Sequence, residues 1–195
     1  MNIKTLGPDV NESYRAFGVN EHGEIRFGLS AIKGMGTPAA DAIVAEREKN
    51  GPYKDIFDFA QRVDFSNVNR KAFESLALSG GFDSFGIPRE NFFAVNNKNE
   101  MFLDTLVRYG QLYQREQHEA VTSLFGGLDA IEIATPPIPH AEGWSTIERL
   151  NKERDLVGIY LSAHPLDDYS VVLNSMCNTH CAELGDKPSL AKKEN

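Results

Sequence analysis

The feature that most constrains this chain is the run Ile32-Lys33-Gly34-Met35-Gly36-Thr37-Pro38. Two glycines flanking one apolar residue do not continue a helix, because glycine costs roughly 1 kcal/mol relative to alanine in a helix interior. They suit a tight bend instead. Thr37 stands in an N-cap position, and Pro38 at the first helical position, where its missing N–H costs nothing. Leu29 to Lys33 predicts a short turn of helix before the bend. Ala39, Ala40, Ile43, Val44 and Arg47 recur at helical spacing after it, and Asn50-Gly51-Pro52 is a stop. The segment reads as helix, hairpin, helix. Glycine permits positive φ and leaves main-chain N–H groups uncovered. The start of the following helix adds unsatisfied donors and a partial positive charge. Together they form an anion site of phosphate size. Met35 is the apolar plug that ties the bend to a core, and Lys33 supplies formal charge. Nothing in this arrangement reads base edges, so any nucleic-acid binding is independent of sequence.

A second helical pair follows without the glycines. Asp55 to Val63 predicts a short helix, Asp64 to Asn69 a turn, and Arg70 to Ser79 a helix with Ala72, Phe73, Leu76 and Ala77 inward. Asn69 caps this last helix, Gly80-Gly81 ends it, and Phe82 and Phe85 anchor what comes next. On this pair Asn69, Arg70 and Lys71 are the candidate phosphate contacts; on the first they are Lys33, Gly34, Met35, Gly36 and Thr37.

Around this tandem unit the patterning changes. Residues 1 to 13 read as a polar lead-in. Phe17 and Val19, then Ile25 and Phe27, alternate about Asn20-Glu21-His22-Gly23 and predict a small β-hairpin. Residues 90 to 121 carry a long helical pattern that includes Phe92 and Phe93. Residues 122 to 143, with Gly126-Gly127 and Pro136-Pro137-Ile138-Pro139, read as a linker. Ser145 to Tyr160 is helical again, Leu161 to Tyr169 breaks it, a short helix follows and the end is polar. The expected fold is mainly α: a tandem helix-hairpin-helix domain with a small N-terminal β-hairpin and a C-terminal helical extension.

Composition supports a globular chain, with 41% hydrophobic and 25% charged residues in 195. The net charge of −8 weighs against nucleic-acid binding, since phosphate binders are usually basic. Locally the balance differs: Arg26, Lys33, Arg47, Lys49, Lys54, Arg62, Arg70, Lys71 and Arg89 meet a similar number of acids. Part of the acidic excess lies later, at Asp129, Glu132 and Glu142. Such a site would neutralise ~2–4 phosphates and show a shallow salt slope. No secretory leader or membrane-length apolar run is evident, so the cytoplasm is expected. Cys177 and Cys181 make no disulfide framework, and Cys177-Asn178-Thr179-His180-Cys181 lacks the second pair of ligands that zinc requires. No clustered acids for two metal ions, no nucleotide-binding glycine loop and no catalytic group is found. Asp55 and Asp58 follow the first hairpin at a position that invites a base-excision glycosylase reading, but no aromatic base pocket accompanies them. His164 before Pro165 reads as a turn residue and Trp144 as a packing anchor.

Four stretches, IRFGLSAIKGMG, GPYKDIFDFAQRVD, VNRKAFESLALSGGFDSFG and LVGIYLSAHPLDDY, in this order, closely resemble the alpha subunit of bacterial DNA polymerase III. The resemblance runs from about Pro8 to Tyr169. It implies that residues 1–27 are the tail of a fingers region, 28–121 a tandem helix-hairpin-helix and helical domain lying on duplex DNA, 122–143 a linker, and 144–195 a helical connector leading into an oligonucleotide-binding fold. It implies double-stranded DNA, a sliding clamp and other replisome subunits as partners. The parent would be a DNA-directed DNA polymerase using magnesium, with no cofactor and no catalytic site in this segment. It also implies a clamp-binding peptide of pattern Gln-x-x-(Leu or Met)-Phe at Val121-Thr122-Ser123-Leu124-Phe125. There Leu124 and Phe125 match the anchors and Val121 replaces the glutamine. Gly81 and Ala163 stand where that family often has alanine and glycine. A stand-alone protein-interaction adaptor and a repair glycosylase are the other function classes compatible with a helix-hairpin-helix unit.

Overall fold

A computed structural model describes residues 4–96, 98–122 and 133–176, in two compact units that divide after Ser162. The first unit opens with three two-residue strands, β1 (Thr5–Leu6), β2 (Gly18–Val19) and β3 (Ile25–Arg26), in the order β1-β3-β2. β2 and β3 are antiparallel, with Val19 opposite Ile25, and form the hairpin that the alternation predicts. Asn20 closes it: its side chain accepts the His22 and Glu24 N–H groups, and Gly23 takes φ +75°. The lead-in differs from expectation. Thr5 and Leu6 pair in parallel with Ile25 and Arg26, and Val10 is fully buried with its N–H on the Gly81 carbonyl. A polar stretch is thus stitched to the core by main-chain pairing and one apolar side chain, signals too small for periodicity to register.

The helical core follows. A single 3-10 turn, Leu29–Ala31, leads to α1 (Thr37–Asn50), α2 (Ile56–Arg62) and α3 (Arg70–Ser79). Asp55 caps α2 by accepting the Phe57 and Asp58 N–H groups, and Asn69 caps α3 by accepting that of Ala72. Gly80 ends α3 in the left-handed region, as a glycine after a helix commonly does. Phe59, Phe73 and Phe82 are buried together with their rings edge-on or tilted, at centroid separations of 5.0–6.2 Å.

The long pattern from 90 does not yield one helix. Arg89–Phe93 is a 3-10 helix, Val95 bridges Met101, and α4 runs over Phe102–Thr122. Asn96 breaks the periodicity: its side chain accepts the Lys98 and Glu100 N–H groups, and Asn99 adopts φ +60°. α4 packs against α2 closely enough that a Cβ on Gly110 would come within 2.2 Å of the Ala60 carbonyl oxygen. Gln114 then donates to the carbonyls of Gln61 and Val63, sealing the end of α2.

α5 (Thr146–Val157) is capped by Ser145 and ended by left-handed Gly158. Of its apolar residues only Leu150 is fully buried; Ile147 faces solvent, as does Ile159 just beyond its end. Trp144 packs on Phe93 and lies under Lys152. The second unit contains a 3-10 turn, Asp167–Tyr169, and α6 (Ser170–Met176). The His164 Nδ1 accepts the Leu166 N–H and Asp167 accepts the His164 N–H, so this histidine shapes a turn. Among the described residues no helix is long and apolar enough to cross a membrane, and no cluster of His, Cys, Asp and Glu can hold a metal ion.

Candidate nucleic-acid interface

The glycine bend is a tight turn in which the Met35 N–H donates to the Ile32 carbonyl at 3.0 Å. Gly34 occupies the third position with φ +90°, the requirement of a type II turn. Ile32 and Met35 are buried at 1% and 5% exposure, while Lys33, Gly34, Gly36 and Thr37 are exposed. The bend is therefore anchored by its apolar residues and presents its backbone outward. The first turn of α1 has no side-chain cap, and the N–H groups of Gly34, Gly36 and Thr37 make no hydrogen bond among the described residues. One detail departs from the sequence reading. Gly36, extended at φ −74° and ψ 154°, is the N-cap, and Thr37 is already helical with Pro38 second. The glycine leaves the helix start bare where a capping threonine would cover it.

The second pair is built differently. Its turn from Asp64 to Asn69 is filled by its own side chains: Asp64 accepts the Ser66 N–H and hydroxyl and the Asn67 amide, and Asn69 is spent on capping. Hydrogen bonds from Ser66 and Asn67 hold the Asp64 carboxyl below the usual range, so the turn carries a fixed negative charge. Arg70, a candidate phosphate contact, is directed elsewhere. It bonds Asp104 on α4 and Glu74 one turn along, and these partners raise its pKa. Two carboxylates already neutralise it.

Lys71 behaves in the opposite way. It forms no ion pair among the described residues, and its stem lies over the first bend: a Cβ on Gly34 would be 3.2 Å from Lys71 Cε and 2.6 Å from Ser75 Oγ. Ser75 in turn donates to the Lys33 carbonyl at 3.0 Å. The fold thus gathers Lys33, Gly34, Gly36, Thr37 and Lys71 on one bend, while Asn69 and Arg70 serve the second pair. Sequence reasoning missed Ser75, which is buried on α3 and supports the bend; its position among the inward residues of that helix was the available signal. Asp55 and Asp58, which invite a glycosylase reading in the sequence, are occupied as the α2 cap and as the partner of Arg62. Of the expected clamp peptide, Val121 and Thr122 end α4, and Ser123, Leu124 and Phe125 lie outside the described residues.

Residues 2–92 match the family model described as a helix-hairpin-helix motif. The chain is 36% identical over 191 residues to the DNA polymerase III subunit alpha of Haemophilus influenzae, covering 94% of this chain and 15% of that protein. It is 37% identical over 173 residues to the subunit of Pasteurella multocida, covering 87% and 14%. For Chlamydia trachomatis the figures are 39% over 173 residues, 86% and 13%. The chain therefore spans about one seventh of the length of the curated relatives it matches.

Proposed function

We propose, from the premise that this chain corresponds to a segment of the DNA polymerase III alpha subunit, that it grips the phosphate backbone of duplex DNA without regard to sequence. The observation that carries the reading is the exposed bend, flanked by Lys33 and Lys71, where the N–H groups of Gly34, Gly36 and Thr37 make no hydrogen bond among the described residues. Main-chain donors at a helix start suit a tetrahedral anion because they converge on one point and carry no proton to lose. The two lysines add charge that persists under any phosphate geometry. Met35 holds the bend to the core without touching DNA. Asn69 and Arg70 support the second pair, with Arg70 reaching a phosphate only if it leaves its two carboxylates.

Within a replicative polymerase such a grip would retain the primer–template product during nucleotidyl transfer. The reading gives this segment no catalytic group and no cofactor; magnesium-dependent chemistry would belong to the rest of the parent protein, in the cytoplasm. Val121 to Phe125 would engage the sliding clamp through Leu124 and Phe125, a reading that rests on the resemblance alone.

Titration of the chain with a labelled duplex of arbitrary sequence at rising salt tests the grip. Binding at low salt should weaken about tenfold in Lys33→Glu, with the salt slope falling by about one for each lysine removed. Wild-type binding that is absent at low salt, or unaffected by Lys33→Glu, would refute it. Clamp affinity retained in Leu124→Ala/Phe125→Ala would remove the peptide.

A further inference from the structure

We infer that Glu153 is a positioning residue for the Lys33–Gly36 bend, acting through α5. Its consequence for DNA rests on the backbone-gripping reading above. Lys33 is exposed, yet both of its main-chain polar groups are held. Its carbonyl accepts from Ser75 on α3, and its N–H donates to the Leu156 carbonyl at 2.9 Å. Leu156 lies in the last turn of α5, where helix carbonyls have no partner within the helix. The bend is thus held between the side of α3 and the end of α5, and its free N–H groups keep one direction.

Apolar packing secures α5 only in part. Leu150 is fully buried, Leu156 and Val157 partly, and Ile147 faces water. The other deeply buried residue is Glu153, 1% exposed and three positions before Leu156, on the same face. One carboxylate oxygen accepts the N–H groups of Leu161 and Ser162 at 2.8 and 2.9 Å, folding the chain back after Gly158. The other accepts Arg89 Nη1 at 2.9 Å and the Ser162 hydroxyl. Arg89 also bonds Asp83 and reaches the Leu78 carbonyl in the last turn of α3. It passes so close over Gly80 that a Cβ there would lie 2.2 Å from Nη2.

These contacts close a ring: bend, α5, Glu153, Arg89, the end of α3, Ser75 and the bend again. A buried aliphatic side chain at 153 would pack α5, but it would not fix the rotation and height of the helix as four directed hydrogen bonds do. Directional fixing of this kind is the best-attested use of buried ionic groups. With α5 so fixed, the Leu156 carbonyl stays under Lys33, and the donors at Gly34, Gly36 and Thr37 need no ordering when a phosphate arrives.

Amide hydrogen exchange and duplex titration on the whole chain, wild type and Glu153→Ala, test the assignment. The Lys33 amide should exchange about tenfold faster in the variant, while the amides of Met35, bonded inside the turn, and Leu76, in α3, keep their wild-type rates. Duplex affinity should fall about fivefold as preorganisation is lost. Unchanged Lys33 exchange, or acceleration in step with Leu76, would overturn the inference. Should Glu153→Ala fail to fold, Glu153→Gln keeps an acceptor for Leu161 and Ser162, deletes the charge opposite Arg89 and is read by the same comparison. If the wild type binds no duplex, the DNA reading falls, and selective exchange at Lys33 alone upholds or overturns the bracing role.

Discussion

The two helix-hairpin-helix pairs share an outline and differ in what their turns do with main-chain polarity. The first turn uses glycines, and among the described residues the N–H groups of Gly34, Gly36 and Thr37 make no hydrogen bond and the two neighbouring lysines no ion pair. The second turn satisfies itself with Asp64, Ser66, Asn67 and Asn69, and its nearest arginine is shared between Asp104 and Glu74. The two copies thus differ in polarity: the first exposes main-chain donors, and the second contributes Lys71 and Ser75 to its neighbour. Acidic net charge is compatible with this arrangement, because a single bend with two cations is a local property that a sum over the chain conceals.

The comparison breaks most decisively at Gly34. Gly34→Val would force a branched side chain into φ +90° and against Ser75 and Lys71. Duplex binding should fall below detection, with a loss of about 2 kcal/mol in a denaturant titration. Equal binding in this variant would mean that the first turn is no more open than the second.

A smaller effect sharpens the contrast through pH. Burial pushes the Glu153 carboxyl up, but hydrogen bonds from Ser162 and Arg89 outweigh it and hold the folded value below the usual range. Its stabilisation is present above the ordinary carboxylate pKa and is lost as pH falls through the lower, folded value. The melting temperature of the wild type should therefore drop over that acid window more steeply than that of Glu153→Gln. Parallel profiles would show that the buried pair does not couple to folding.

The smallest effect is expected at Arg70. Arg70→Ala should change duplex affinity less than about twofold and stability by about 0.5 kcal/mol, the scale of partly exposed ion pairs. A tenfold loss of binding would make the second pair a full contact, equivalent to the first.

Much of this contrast is legible in the sequence. Glycines at 34 and 36, Asn69 before an apolar helical run and Gly80 after it each have a mechanism that does not depend on the rest of the fold, and α1 and α3 stand where those signals put them. What escaped is tertiary. Arg89 looks like a surface residue beside a proline, and Glu153 sits in a run of charges that reads as a solvated face; only the fold buries them against each other. Arg70 next to Lys71 reads as two equivalent cations, and the distant Asp104 separates their roles. Two-residue strands such as β1 fall below any periodicity, since their register comes from the partner strand.

The hydrogen that stands in for a side chain at Gly110 sets the tolerance of the seam between α2 and α4. Helix backbone rests on helix backbone there, and Gln114 is latched one turn further on. The seam therefore joins α4 to the second pair at two successive levels, one of backbone contact and one of directed hydrogen bonds. Even a methyl group at 110 would act as a wedge, prising α4 from α2 without touching the bend.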